Sequence, residues 1–263
     1  MKKIMILMLI AIMSLTVFTA CGGSSKGTDA SAKTTLTVGF DKEFPPMGFV
    51  ADDGSYTGFD LDLAKEVADR LGMELKLQPI DWNAKNMELD SGNIDCVWNG
   101  FTINGRETEY EWTKPYMNNN QIVVVMKDSS IATLADVSGK IVGVQDDSSA
   151  LFAIDGNEQF KNSLKSLVKT TTNLNALMEL ESGAVDAVVM DEIVARYTIE
   201  KKGANYKVLD ESIGAEEFGV GFKLGNKELR DKVEATLLEM AKDGKLAEIS
   251  DSWFGKDITT IGK

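Results

Sequence analysis

The chain of 263 residues contains no histidine. That absence removes histidine-based nucleophilic triads, zinc–histidine sites and imidazole acid–base catalysis together. Cysteine is nearly absent as well, with only Cys21 and Cys96. There is no basic stretch: Asp and Glu number 41 against 28 Lys and Arg, for a formal net charge of −13. Nucleic acid is therefore not an expected partner, nor is an anionic membrane surface. No cofactor or metal is expected. Beyond residue 21 no run is apolar enough to span a bilayer.

That start is distinctive. Lys2 and Lys3 precede an apolar run from Ile4 to Met13, and small residues, Thr19 and Ala20, stand directly before Cys21. The run is marginal for a hydrocarbon core that needs about 20 residues, and the charged start, apolar middle and small-residue end are the parts of a secretory signal. The competing reading is an uncleaved N-terminal membrane helix. The segment from Val17 to Gly23 resembles a bacterial lipobox, with Phe18 where leucine is usual. The resemblance implies that residues 1–20 are a signal peptide and that Cys21 becomes an acylated N-terminus. Cys96 is then left without a disulfide partner, and within Ile94–Trp98 it reads as a small buried hydrophobe. Residues 22–33 carry Gly, Ser, Ala, Thr and Lys but no large apolar side chain. Such a composition cannot offset chain entropy, so residues 21–34 read as a flexible tether and the fold is expected to begin near Thr35.

The body alternates strand and helix signals. Leu36–Phe40 alternates apolar and polar residues, as a strand does. A loop with Pro45 and Pro46 follows, then a helix from about Asp60, which is placed to cap it, to Gly72, which is placed to end it. Ala64, Val67, Ala68 and Leu71 share one face of that helix. Strands are expected over Glu74–Pro79 and Ile94–Val97, with a short helix near Lys85–Leu89 between them. This is an α/β pattern with parallel pairing. The segment Met87–Val97 recurs as Met178–Val188 with seven identities at matching positions. Each copy is a helix end, a Ser-Gly turn, an acidic residue and an apolar strand, which argues for two lobes of similar build. The expected division is 35–125 and 217–263 for the first lobe and 126–216 for the second. Two chain crossings would form a hinge with a ligand cleft between the lobes.

Four stretches carry a resemblance to a known family: Gly58–Ala64, Trp98–Ile103, Asp186–Asp191 and Leu246–Gly255. In order along the body, they resemble the extracellular solute-binding proteins of amino-acid ABC importers, the family 3 type. The resemblance implies an α/β, two-lobed periplasmic-binding-protein-like fold that closes on one amino acid, passes it to an ABC permease, acts as a monomer and carries out no chemistry. With the lipobox, it implies a receptor anchored on the outer face of the cell membrane. Two other readings stay open: an exported enzyme resembling the cyclohexadienyl dehydratases of this scaffold, and a ligand-presenting partner of a sensor.

An amino acid presents a carboxylate and an ammonium, and burying either without a partner costs several kcal/mol. The resemblance implies Arg106 as the clamp for the carboxylate, since a guanidinium suits bidentate pairing. Thr102–Arg106 is one residue shorter than the usual family spacing, and Gly105 is the residue that can absorb the difference. Thr102, Gly100 and Ser149 are secondary donors. Ser148 and Ser149 stand at an expected helix N-terminus, where they can cap the helix and also favour an anion. Asp191, at the end of an apolar strand, is the expected acceptor for the ammonium, with helix capping as the alternative. Asp41 could serve the ammonium or the side chain. Phe44, Trp82 and Phe101 would supply apolar walls, with core filling the alternative for Phe101. Asp147 stands where the family usually has glycine; it either touches a cationic side chain or caps the helix. Stacking rings and nearby acids favour a polar or cationic amino acid.

Overall fold

The computed structural model describes residues 34–203 and 205–263, so the leader, Cys21 and residues 22–33 of the tether lie outside the described residues. The chain opens with β1 (Thr35–Phe40), β2 (Glu43–Phe44), β3 (Gly48–Val50) and β4 (Tyr56–Thr57), followed by α1 (Phe59–Leu71) and β5 (Glu74–Pro79). Next come α2 (Lys85–Ser91), β6 (Cys96–Thr102), β7 (Glu111–Trp112) and β8 (Met117–Met126). The second half holds β9 (Ile141–Gln145), α3 (Ser149–Gly156), α4 (Glu158–Ser163), β10 (Ser166–Thr170), α5 (Asn173–Ser182), β11 (Ala187–Asp191) and α6 (Glu192–Lys202). The chain returns through β12 (Tyr206–Phe222) and ends with α7 (Lys227–Asp243) and α8 (Lys245–Phe254).

One sheet runs through the molecule in the order β10-β9-β11-β8-β12-β6-β1-β5, with β7 on β12. Its two ends are parallel, β5-β1-β6 and β10-β9-β11. Between them lie the long strands β8 and β12, antiparallel from Tyr206 opposite Met126 to Phe218 opposite Met117. β12 then continues along β6, while β8 pairs with β11. The parallel strands β6 and β11 are buried at every residue, as strands covered on both faces must be. The final helices return to the first half: the Trp253 indole donates to Asp62 on α1 at 2.7 Å, and Phe254 packs on Phe59.

The internal echo is a structural repeat. Gly92 and Gly183 both end their helices in the left-handed conformation. The acid three residues later does the same work twice. Asp95 accepts the amide of Thr37 and Asp186 that of Ile141, each at 2.8 Å. Each acid thus fastens the first turns of a neighbouring parallel strand, which explains why it recurs. One expectation fails. Gly58, not Asp60, is the N-cap of α1, and it provides no side-chain cap. The Asp60 side chain is instead drawn into the core, where Tyr116 Oη donates to it at 2.8 Å and Gly100 N at 2.5 Å.

Candidate functional site

A small cavity, of about 10 Å³, lies where the C-terminal ends of the parallel strands face one another. Phe44, Trp82, Gly100, Thr102 and Arg106 line it from the first half; Ser148, Ser149 and Asp191 line it from the second. These eight were all expected from sequence. Asn99 and Gln145 complete the wall.

Arg106 sits on the turn after β6 and is only 9 % exposed. Its guanidinium packs over the Phe101 ring at 5.5 Å, and among the described residues it makes one side-chain hydrogen bond, a long 3.4 Å contact to the Thr102 carbonyl. Among the described residues no carboxylate forms an ion pair with it within 4.0 Å. A buried guanidinium with so little to bind retains most of its donors for a ligand.

Asp191 ends β11 and stands at the start of α6, yet its side chain does not cap the helix. It is 2 % exposed, and Asn119 and Gln121 of β8 donate to its Oδ1 at 3.0 and 2.9 Å. Burial, reinforced by the neighbouring carboxylate of Glu216, pushes its carboxyl well above the usual range. No Lys or Arg among the described residues lies within ion-pair distance of it. One cavity therefore has an uncommitted cation on one wall and an uncommitted acid on another.

Ser148 caps α3 by accepting the amide of Leu151 at 3.1 Å, while Ser149 Oγ accepts from Gln121 Nε2 at 3.2 Å. Asp147 does not cap α3, which Ser148 does; it ion-pairs with Lys85 of the protein itself.

The two remaining candidates lie off the cavity. Phe101 is fully buried beneath it, in edge contact with Trp82 and packed on Tyr110 and Trp112. Asp41 borders an adjoining opening with Lys42, Glu43 and Trp82. It accepts from Gln145 Nε2 at 3.2 Å across the cleft, and burial raises its carboxyl pKa.

Sequence reasoning passed over Asn99, Asn119, Gln121, Gln145 and Glu216. A signal existed for the β8 pair. In Met117–Met126 the buried positions begin 117, 119, 121, so two amides occupy the inward face of a strand that is otherwise apolar there. Lys85 gave no such signal, because nothing local shows that a helix-start lysine will be buried.

The comparisons agree with this architecture. The chain is 31 % identical over 261 residues to the L-cystine-binding protein TcyJ of Escherichia coli (strain K12), covering 97 % of this chain and 95 % of that protein. It is 30 % identical to the arginine-binding extracellular protein ArtP of Bacillus subtilis (strain 168), covering 97 % and 98 %. A solved ABC uptake transporter substrate binding protein from Streptococcus pneumoniae with bound histidine superposes with a TM-score of 0.84 at 37 % identity, over 86 % of this chain and 95 % of that one. Residues 36–256 match the family description for bacterial extracellular solute-binding proteins, family 3. With the same two-lobed fold and the same family match over nearly the whole body, the chain belongs to the bacterial extracellular solute-binding proteins of family 3.

Proposed function

We propose that this protein captures a free polar amino acid, zwitterionic or cationic, and delivers it unchanged to an ABC-type import permease. The observation that carries the reading is the pairing of unmet charges. The Arg106 guanidinium and the Asp191 carboxylate face one cavity, and the described residues offer neither an ion-pair partner. An α-amino acid supplies both opposite charges on one small molecule. Arg106 takes the carboxylate, helped by Ser149 at the start of α3; the Gly100 amide and the Thr102 hydroxyl, expected as further donors, are committed instead to Asp60 and Glu216. Asp191 takes the ammonium, and Phe44 with Trp82 holds the side chain. The relatives named above bind cystine, arginine or histidine, all polar amino acids.

The lobes, taken as 35–125 with 217–263 and 126–216, would open about β8 and β12. The contacts of Asp41 with Gln145 and of Lys85 with Asp147 form only when they close. Ligand drives closure because it binds the closed arrangement better. Cys21, acylated after loss of residues 1–20, would hold a monomeric receptor on the outer face of the cell membrane. Two or more acyl chains are needed for stable anchoring.

Calorimetry with the common amino acids tests the binding role, with L-arginine, L-histidine, L-glutamine and L-cystine first. Saturable one-to-one binding of at least one is expected; a folded protein that binds none overturns the reading. Mass spectrometry of the membrane-extracted N-terminus tests the anchor, and Cys21→Ser should release the protein from the membrane fraction.

A further inference from the structure

Asp191 does not stand alone at its end of the cavity. Glu216 of β12, 5 % exposed, is its neighbour, and the two acids share their donors. Asn119 Nδ2 donates to Asp191 Oδ1 at 3.0 Å and also to Glu216 Oε1. Gln121 Nε2 donates to the same two oxygens, at 2.9 and 2.8 Å. The Asn119 amide cannot turn round without loss, because its Oδ1 accepts the Ile193 amide at 3.2 Å. Thr102 Oγ1 donates to Glu216 Oε2 at 2.9 Å, so the network runs from β6 through both long strands to the start of α6.

The charge of this cluster is unbalanced. Two neutral amides bridge two acids, and among the described residues no Lys or Arg pairs with either. Arg106 is the nearest cation on the cavity wall, and it reaches only the Thr102 carbonyl. Glu192, next on α6, is committed to Arg196 and Asn120, and Glu217 points to solvent. Asp41, off the cavity and held to Gln145, is another acid and no counter-charge, while Lys85 is neutralised by Asp147. Two adjacent buried carboxylates without a cation do not both ionise; one keeps a proton until a cation arrives.

We propose that Asp191 and Glu216 form a single ammonium site that holds one proton before ligand binds and releases it to solvent when the ligand's α-ammonium group enters. Glu216 is then a positioning residue: it sets the charge that Asp191 presents, through amides both acids share. The proposal rests on the receptor reading for its ligand, but the stored proton belongs to the protein itself.

Calorimetry of the full chain with whichever of L-arginine, L-histidine, L-glutamine or L-cystine binds, in buffers of different ionisation enthalpy, counts the protons. Close to one proton should leave per ligand between pH 5 and 8, with Kd tightening about tenfold per pH unit where the pair is protonated. Glu216→Gln leaves one acid for one ammonium and should bring the count well below half a proton. No proton release by the wild type across this range overturns the proposal, as does a Glu216→Gln variant that releases as many protons as the wild type. If Glu216→Gln does not fold, Thr102→Val removes a donor to the ionised pair and should move the release profile to higher pH; an unmoved profile counts against the pair. Carbon-13 NMR of carboxyl groups in the ligand-free chain separates the two readings. If no amino acid binds but one carboxyl of the pair titrates far above about 4, the receptor role fails and the proton store stands. If both titrate in the ordinary range, the proton store fails whatever binds.

Discussion

The Lys85 ammonium and the Asp147 carboxylate meet across the mouth of the cleft, joining the start of α2 to the loop before α3. The Trp82 indole donates to the Asp147 carbonyl at 3.1 Å, and the Lys85 ammonium lies 5.0 Å from the centre of the Trp82 ring. Burial lowers the Lys85 pKa and Asp147 partly restores it. The pair and the Trp82 ring thus form one connected contact beside the aromatic wall of the cavity, a latch in the receptor reading proposed above.

The latch should slow ligand escape. Asp147 is 54 % exposed, so solvent screens the pair and its worth is nearer about 1 kcal/mol than that of a fully buried bridge. Lys85→Met keeps the buried stem and removes the charge. It should weaken binding about fivefold, mainly through faster dissociation. Asp147→Gly relieves a positive φ of 53° but leaves the lysine charge buried without its partner, so it should weaken binding similarly. The double variant should lose no more than either single one. Stopped-flow dissociation rates would check this, and rates equal to wild type would show that the pair holds nothing closed.

Arg106→Ala should separate binding from folding. Its guanidinium contributes one long hydrogen bond and one ring contact to the fold, so the melting temperature without ligand should fall by no more than a few degrees. Removing the clamp should cost about 3–5 kcal/mol of affinity, a loss of at least a hundredfold. Arg106→Lys should recover little, because an ammonium cannot make the bidentate pair. Calorimetry and thermal melts on the same samples would read both quantities, and unchanged affinity would remove Arg106 from the site.

Legibility in the sequence followed the range of the interactions. Helix ends, the Gly92 and Gly183 turns and the apolar strands are set by near neighbours, and their patterns were plain. The cavity residues were legible because the motifs around Gly100 and Asp191 are local too. Asp60 misled because a carboxylate in a first turn usually caps, whereas here Tyr116, 56 residues away, holds it in the core. Glu216 and Asp191 are 25 positions apart, and Lys85 and Asp147 are 62 apart. Pairings of that kind are decided by how strands and loops distant in sequence pack together, and no short pattern announces them.

Asp60 also predicts a pH dependence of stability. Burial raises its pKa to about 7, against an ordinary value of 3.8. The folded state therefore binds this proton more tightly than the unfolded chain, so stability from this group is full below about 4 and is lost as pH rises through about 7. Asp60→Asn can accept the Gly100 amide through its oxygen and donate to Tyr116 Oη, keeping both contacts without a charge. Urea unfolding at pH 5 and pH 8 should show the wild type losing on the order of a few kcal/mol relative to the variant as pH rises. Parallel pH profiles would show that Asp60 stays ionised throughout.

Gly105 ties the clamp to closure. It adopts φ +81°, and a Cβ placed there would lie 2.3 Å from the Phe152 ring, which reaches over from α3. Only glycine satisfies both the backbone conformation and the close approach. Phe152 is 52 % exposed, so its ring can swing away into solvent rather than force the sheet apart. Gly105→Ala should therefore cost only about 1–2 kcal/mol in stability, set by the backbone strain. Its effect on binding should be larger in proportion, because the closed lobes lose a fitted contact one residue from Arg106 while the turn that aims the guanidinium is strained. The expected result is a tenfold or greater loss of affinity. Phe152→Ala in the same background should relieve the clash and recover part of it. If Phe152→Ala gives no recovery, the strain lies wholly in the turn, and contact between Gly105 and Phe152 plays no part in closing the cleft.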